Sequence, residues 1–327
     1  MPTRMTLLMA ALLMAAGCTA APPPPSSTLP PPPSPSPSPP ARAAPTSGCQ
    51  AARRLEPGTH RIRHGGLERR FLLSVPDGPG PHPVILDLHG LNSDAARQSA
   101  YSRLADTGAR RGYIVATPQA AEGRMGWTLP HTAGPDDTGF LTALLDHLER
   151  GLCVRSGREF AAGMSYGAAM ATALICELNG RLTAVAAVAG LNLVRPCPRA
   201  VPPVTVVAFH GTADRIVPYR GGHPLRDATG GLRELADLVV LDPVEQAADG
   251  WAALLGCTGR TTAAQARKVR VRDWKTCRGG ATLRLYTIDG GGHTWPGPID
   301  VPWLGTTARD LDATALILDT FDRAPAR

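Results

Sequence analysis

Three residue types in this chain could together do nucleophilic chemistry, and they come in a telling order. Gly163-Met164-Ser165-Tyr166-Gly167 follows the apolar run Phe160-Ala161-Ala162 and leads into an alanine-rich helical pattern. A serine on a strained turn between strand and helix presents its Oγ clear of the backbone, and flanking glycines let the two elements close around it. Serine alone is a weak nucleophile; it needs a base, and the base needs a group to orient it. Asp214 follows the β-branched run over 204–209, in His210-Gly211-Thr212-Ala213-Asp214. His293 follows the run over 282–288 in the loop Gly290-Gly291-Gly292-His293, and of nine histidines it is the one that follows both Ser165 and Asp214 on a strand-end loop. Serine, acid and histidine in that order predict acyl transfer, with His293 as base and Asp214 fixing its tautomer. Taken singly, the residues have plainer readings: a Gly-Ser loop entering a structural helix, or an aspartate that only caps a turn. Asp136 and Asp137 precede the serine and lead into a helix, as caps do.

His89-Gly90-Leu91-Asn92 ends another apolar run, over 84–88. A backbone N–H from such a loop, together with the amide after the nucleophile, makes an oxyanion hole; here these are Leu91 and Tyr166. His89 itself reads as a hydrogen-bonded core residue. Trp295 and Trp127 are candidates to line an acyl or aryl pocket, with core packing equally open for Trp127. This chemistry requires no metal and no organic cofactor.

The elements that must position these residues alternate. Strands are predicted over 71–75, 84–88, 113–116, up to the elbow at 163, and over 183–189, 204–209 and 282–288. Helices are predicted over 95–110, 140–150, after the elbow, over 245–255 and over 308–321. Such alternation implies a mostly parallel sheet with helices on both faces, and ligand sites beyond the carboxyl ends of the strands. All the motifs above fall there.

The chain has 327 residues, 43% of them apolar, enough for a sizeable core. Residues 1–17 read as a signal peptide: Arg4, then an apolar run too short to span a bilayer as a mature helix. It ends in Ala15-Ala16-Gly17-Cys18, similar to a bacterial lipobox with Cys18 as the acylated residue, although ordinary cleavage nearby is the alternative. Residues 18–47 are rich in Pro, Ser, Ala and Thr; polyproline II at about 3.1 Å per residue makes them a stalk that spaces a domain roughly 70 Å from an anchor. The net charge of +7 is thinly spread. Its densest part, Arg53 to Arg70, has no interleaved aromatic stacking platform, so nucleic-acid binding finds little support, and a solvated basic face or attraction to an anionic envelope remain. Six cysteines besides Cys18, with no C-x-x-C, favour disulfides in an exported chain, although spacing alone does not give their connectivity.

Gly163-Met164-Ser165-Tyr166-Gly167, His210 to Asp214 with Val217-Pro218-Tyr219-Arg220-Gly221-Gly222, Trp251 to Cys257, and Gly291-Gly292-His293-Thr294-Trp295-Pro296-Gly297 resemble the secreted poly(3-hydroxybutyrate) depolymerase and feruloyl esterase-like family. The resemblance runs from about Cys49 to the C-terminus. It implies an α/β-hydrolase catalytic domain over 48–327, a serine carboxylesterase, and the triad Ser165, Asp214 and His293. Members divide among polyester oligomers, hydroxycinnamoyl esters of plant polysaccharide and acetyl esters. Proximity in sequence and the resemblance together pair Cys257 with Cys277 and Cys176 with Cys197, leaving Cys49 for Cys153. The ester substrate is then the only partner besides a membrane reached through the lipid anchor. An envelope acyltransferase with the same triad and a non-catalytic binding protein on a hydrolase scaffold are the alternatives.

Overall fold

Among the described residues, ten strands and seven α-helices position the motifs. The computed structural model describes residues 46–326 apart from 52, 53 and 267; the segment 1–17, Cys18 and the stalk as far as residue 45 lie outside the described residues. The strands are β1 (Gly58–His64), β2 (Leu67–Ser74), β3 (His82–Leu88), β4 (Ile114–Pro118), β5 (Val154–Met164), β6 (Leu182–Val188), β7 (Thr205–Gly211), β8 (Gly259–Ala266), β9 (Val269–Lys275) and β10 (Leu283–Ile288). They form one sheet in the order β1-β2-β4-β3-β5-β6-β7-β10-β9-β8. The run from β4 to β10 is parallel, and antiparallel strands extend it at both edges.

The helices are α1 (Ala95–Ser102), α2 (Leu104–Arg110), α3 (Asp137–Gly151), α4 (Tyr166–Glu177), α5 (Gly231–Asp237), α6 (Val244–Leu254) and α7 (Ala313–Arg323). Successive strand residues point to opposite faces, so a strand covered on both sides is apolar throughout. On β3, Val84, Leu86 and Leu88 join a core with Phe140, Leu144 and Leu148 of α3 and Trp251 of α6, whereas Ile85 joins a second core with Leu104, Ile317 and Phe321. Each fully buried leucine contributes about 2 kcal/mol, so this apolar stripe, more than helix propensity, holds α3 in place.

Several features differ from the sequence expectation, among them β1 and α5, for which no element was predicted. The helix expected over 95–110 is broken at Arg103, which takes φ 57°. The cause is Ser102, whose hydroxyl donates to buried Asp87 at 2.6 Å and accepts the Leu104 N–H at 3.1 Å, so the first helix stops and a second begins. The hairpin β8–β9 was not expected, because β8 is an edge strand and β9, paired between β10 and β8, alternates buried Val269 and Val271 with Arg270 and Arg272, so that neither strand carries an apolar run. The helix expected from 308 starts at Ala313, where Asp312 caps it by accepting the Ala315 N–H at 3.0 Å.

Thr46 and Ser47 fall in the stalk by composition, yet the body begins with them. Ser47 opens a 3₁₀ turn, and the Thr46 hydroxyl accepts the Val154 N–H at 3.0 Å. Disulfides join Cys49 to Cys153, Cys176 to Cys197 and Cys257 to Cys277. The first closes a separation of 104 residues, which in the chain-entropy model is worth about 5 kcal/mol against about 3 for each short loop.

Candidate active site

β5 delivers Ser165 and α4 carries the chain away from it. Ser165 has φ 56° and ψ −122°, a conformation costly for a residue with a side chain, and it is held there by its N–H donating to Val188 O at 2.8 Å. The turn is possible only because β5, α4 and β3 approach closely. A Cβ at position 163 would lie 2.4 Å from the Gly167 carbonyl, and one at position 167 would lie 2.0 Å from Leu88 O.

The candidate oxyanion loop, Gly90-Leu91-Asn92, packs against this turn. A Cβ on Gly90 would stand 3.3 Å from Ser165 Cβ, and the side chains of Leu91 and Tyr166 both press on Gly126. The amides of Leu91 and Tyr166 find no acceptor among the described residues, which leaves both N–H groups for a ligand oxygen. Behind the loop, His89 accepts the Ala120 N–H at Nε2 (3.1 Å), so its proton sits on Nδ1 and is donated to Gly90 O at 2.8 Å. Burial holds the His89 imidazole below its ordinary pKa and therefore neutral. It is a brace, as its sequence context suggested.

Asp214 and His293 meet beyond β7 and β10. His293 Nδ1 donates to Asp214 Oδ2 at 2.8 Å, both side chains being buried. The N–H groups of Ile216 and Val217 donate to the other carboxylate oxygen at 2.9 and 2.8 Å. Burial alone would raise the Asp214 pKa, but the His293 charge and the hydrogen bonds of His210 and His293 outweigh it and hold the carboxyl well below the usual range. His210 is the neighbour that sequence reasoning left without a role. Its Nε2 lies 2.8 Å from Val217 O and 3.4 Å from Asp214 Oδ2, so the N–H is aimed chiefly at the carbonyl and also lies against the carboxylate. The signal was available: a histidine at the end of a buried strand, four residues before the acid.

Ser165, Asp214 and His293 thus stand beyond the carboxyl ends of the parallel strands β5, β7 and β10, with Asp214 and His293 in contact. Among the described residues no hydrogen bond joins Ser165 Oγ to His293, whose Nδ1 is engaged with Asp214. Asp136 and Asp137 are engaged elsewhere. Asp136 caps α3 through the Gly139 N–H at 2.8 Å, and Asp137 pairs with buried Arg69 at 2.5 Å.

Trp295, a candidate pocket residue, is a core residue instead, and Trp127 takes the core alternative that the sequence left open. Trp127 is 3% exposed and donates from Nε1 to His89 O at 2.8 Å; it braces the oxyanion loop from behind. Trp295 is 2% exposed and donates to Thr314 at 3.0 Å, which pins the loop after His293 onto α7. In both cases the buried indole needed an acceptor, and the nearest one turned the ring inward. An open cleft of about 470 Å³ lies beside the acid loop, lined by Thr212, Tyr219, Arg220, Glu245, Arg270 and Asp289; none of Ser165, Asp214 or His293 lines it.

No protein-family profile matches the chain. Individual proteins do. Feruloyl esterase B of Piromyces equi is 27% identical over 242 residues, which cover 69% of this chain and 42% of that protein. The probable feruloyl esterase C of Aspergillus flavus is 29% identical over 187 residues, covering 55% of this chain and 66% of that protein. The chain spans less than two thirds of the length of these two relatives. Among solved structures, the acetyl xylan esterase of Aspergillus awamori superposes with a TM-score of 0.57 at 13% identity, over 81% of this chain and 99% of that one. With a mostly parallel sheet in this strand order and helices on both faces, that likeness identifies the chain as an α/β-hydrolase fold.

Proposed function

We propose that the protein is a serine carboxylesterase acting on acyl groups, hydroxycinnamoyl or acetyl, carried by polysaccharide. The observation that carries this reading is the buried Asp214–His293 pair at 2.8 Å, beyond the same carboxyl end of the parallel strands as a serine strained into an elbow. The names of the relatives, feruloyl esterases and an acetyl xylan esterase, support the substrate class. In the reaction His293 Nε2 takes the Ser165 proton as Oγ bonds to the ester carbonyl carbon. The carbonyl oxygen becomes an oxyanion held by the N–H groups of Leu91 and Tyr166. The C–O bond to the alcohol breaks as His293 returns the proton to the leaving oxygen. Water then repeats the sequence and frees the acid and Ser165. Asp214 remains ionised throughout and keeps Nδ1–H directed at itself.

Ser165→Ala should lower turnover at least about 10³-fold, with folding intact because alanine fits the turn. Assays on methyl ferulate, 4-nitrophenyl acyl esters and hydroxybutyrate oligomers, with fluorophosphonate labelling, test nucleophile and acyl preference together. Unchanged turnover in the alanine variant would remove Ser165 from the mechanism. A preference for hydroxybutyrate oligomers would replace the polysaccharide reading with the polyester one, and transfer of the acyl group to a sugar in place of water would mark an acyltransferase.

The three disulfides fit an exported protein. The same proposal places the catalytic body outside the cell on its Pro/Ser stalk, held by a lipid on Cys18. A single acyl chain binds membranes only marginally, so the cysteine would have to carry more than one. Mass analysis of the mature N-terminus tests this; an unmodified end remote from Cys18 would refute the anchor.

A further inference from the structure

One tryptophan is placed unlike the rest. Trp127, Trp251, Trp274 and Trp295 are each at most 4% exposed, whereas Trp303 is 83% exposed. An indole left in water forgoes the stabilisation its burial would bring, and exposed aromatic faces are favoured where one ring must lie on another surface. Its location gives the exposure meaning. Trp303 is the middle residue of the 3₁₀ turn Pro302–Leu304, closed by Leu304 N–H donating to Val301 O at 2.9 Å and Gly305 N–H to Pro302 O at 3.1 Å.

That turn is strapped to the histidine loop. The His293 N–H donates to Leu304 O at 2.7 Å, and the Gly292 N–H donates to Thr306 O at 2.9 Å. The contact is so close that a Cβ at position 292 would lie 2.4 Å from Leu304 O and 2.7 Å from Gly305 Cα. Trp303 is therefore one residue from the carbonyl that holds the backbone of His293, on a turn stiffened by a proline and three backbone hydrogen bonds.

Which part of a substrate passes this point follows from the reaction. The oxyanion faces Leu91 and Tyr166, while the leaving oxygen must face His293 Nε2 to receive its proton. The alcohol half of the ester consequently leaves along the histidine loop and its strap. In an ester of a polysaccharide that half is a chain of sugar rings, whose C–H faces pack on flat aromatic surfaces. We infer that Trp303 is a stacking platform for a sugar ring of the alcohol half, and so a determinant of preference for saccharide esters over simple alkyl esters. This rests on the proposed esterase reading and adds to it the side of the site that reads the alcohol.

The test compares esters that share an acyl group and differ in the alcohol. Ethyl acetate is set against acetylated xylo-oligosaccharide, and methyl ferulate against feruloylated arabinoxylo-oligosaccharide. Trp303→Ala should raise KM for the saccharide ester about fivefold or more, leave kcat within about twofold, and leave both constants for the small ester unchanged. Trp303→Phe should recover most of the loss. In the Ser165→Ala background, unsubstituted xylo-oligosaccharide should perturb tryptophan fluorescence, and Trp303→Ala should abolish that change. Equal losses on small and saccharide esters would make Trp303 a support of the His293 loop, and no loss on either would remove the platform while leaving the esterase intact. If the wild type cleaves neither pair, the esterase reading itself falls and takes the platform with it.

Discussion

Two buried carboxylates, one within the sheet and one just beyond it, have their pKa values moved in opposite directions. Asp214, at the end of β7, accepts two backbone N–H bonds on one oxygen and His293 on the other, with a second imidazole nearby. Asp87, within β3, accepts only from the neutral side chains of Gln98 at 2.7 Å and Ser102 at 2.6 Å. Burial pushes both pKa values up. At Asp214 the imidazole charge and the hydrogen bonds overturn it, whereas at Asp87 burial wins and the pKa rises to about 7 despite the bonds from Ser102 and Gln98. Dryness does not decide ionisation; the charge and number of the donors do. The first arrangement suits a group that must stay anionic to orient an imidazole, and the second suits a structural tie between strand and helix.

Breaking the first arrangement should have the largest effect. Asp214→Asn presents an amide where a carboxylate accepted the Nδ1 proton, so His293 loses the tautomer that leaves Nε2 free to take a proton. A fall in kcat of roughly 10⁴ is expected, following a triad in which the same exchange has been measured. Steady-state kinetics on a soluble ester measures it, and a loss of less than tenfold would mean that another group orients His293. Its stability has a sign as well. A carboxyl held low in the fold contributes stability that is present above the unfolded pKa and is lost as pH falls through the folded one. The difference between wild type and Asp214→Asn should therefore shrink in acid.

The neighbouring imidazole sharpens the comparison. His210 donates to Val217 O, whose own N–H donates to Asp214, so the ring holds the acid turn in shape and lies against the carboxylate. His210→Leu should lower kcat by up to roughly 10²-fold, the cost of misplacing a reacting group by about an ångström. His210→Gln keeps a donor near the Nε2 position and should recover much of that loss. Equal losses in the two variants, or losses matched by equal falls in Tm, would reduce His210 to a packing residue.

How far this site could be read in advance follows from the reach of each interaction. The elbow, the strand-end acid and the glycine-rich histidine loop are local patterns, and β3, β5, β6 and β7 are apolar runs buried on both faces; these were legible. The break at Arg103 was not, because it depends on Asp87 reaching Ser102 from another element. The directions of Trp127 and Trp295 were hidden for the same reason: each indole turns toward an acceptor that only the fold brings near. Trp303 reads in sequence like any other tryptophan, and only the fold shows its exposure and the strap that Leu304 and Thr306 make to His293 and Gly292. The β8–β9 hairpin is the opposite case, a local element without an apolar signature.

The smallest effect on activity, and the most specific on stability, belongs to Asp87. Its folded pKa of about 7 lies above the unfolded value of about 3.9, so between those limits the folded chain binds the extra proton. Stability contributed by this group is therefore full in acid and declines as pH climbs from about 4 to about 7, the reverse of the Asp214 case. Above that range the fold carries a buried anion without a cation beside it. Asn is close in shape to the protonated acid and can keep the bonds to Gln98 and Ser102. Asp87→Asn should thus leave kcat within about twofold, and its Tm should gain on the wild type by a few degrees as pH rises from about 5 to about 8, about what one or two kcal/mol is worth in a domain of this size. Thermal unfolding followed from pH 5 to pH 9 decides the matter. Parallel curves for the two proteins across that range would show that Asp87 is ionised in the fold at every pH, and the contrast with Asp214 would then be one of position and not of charge.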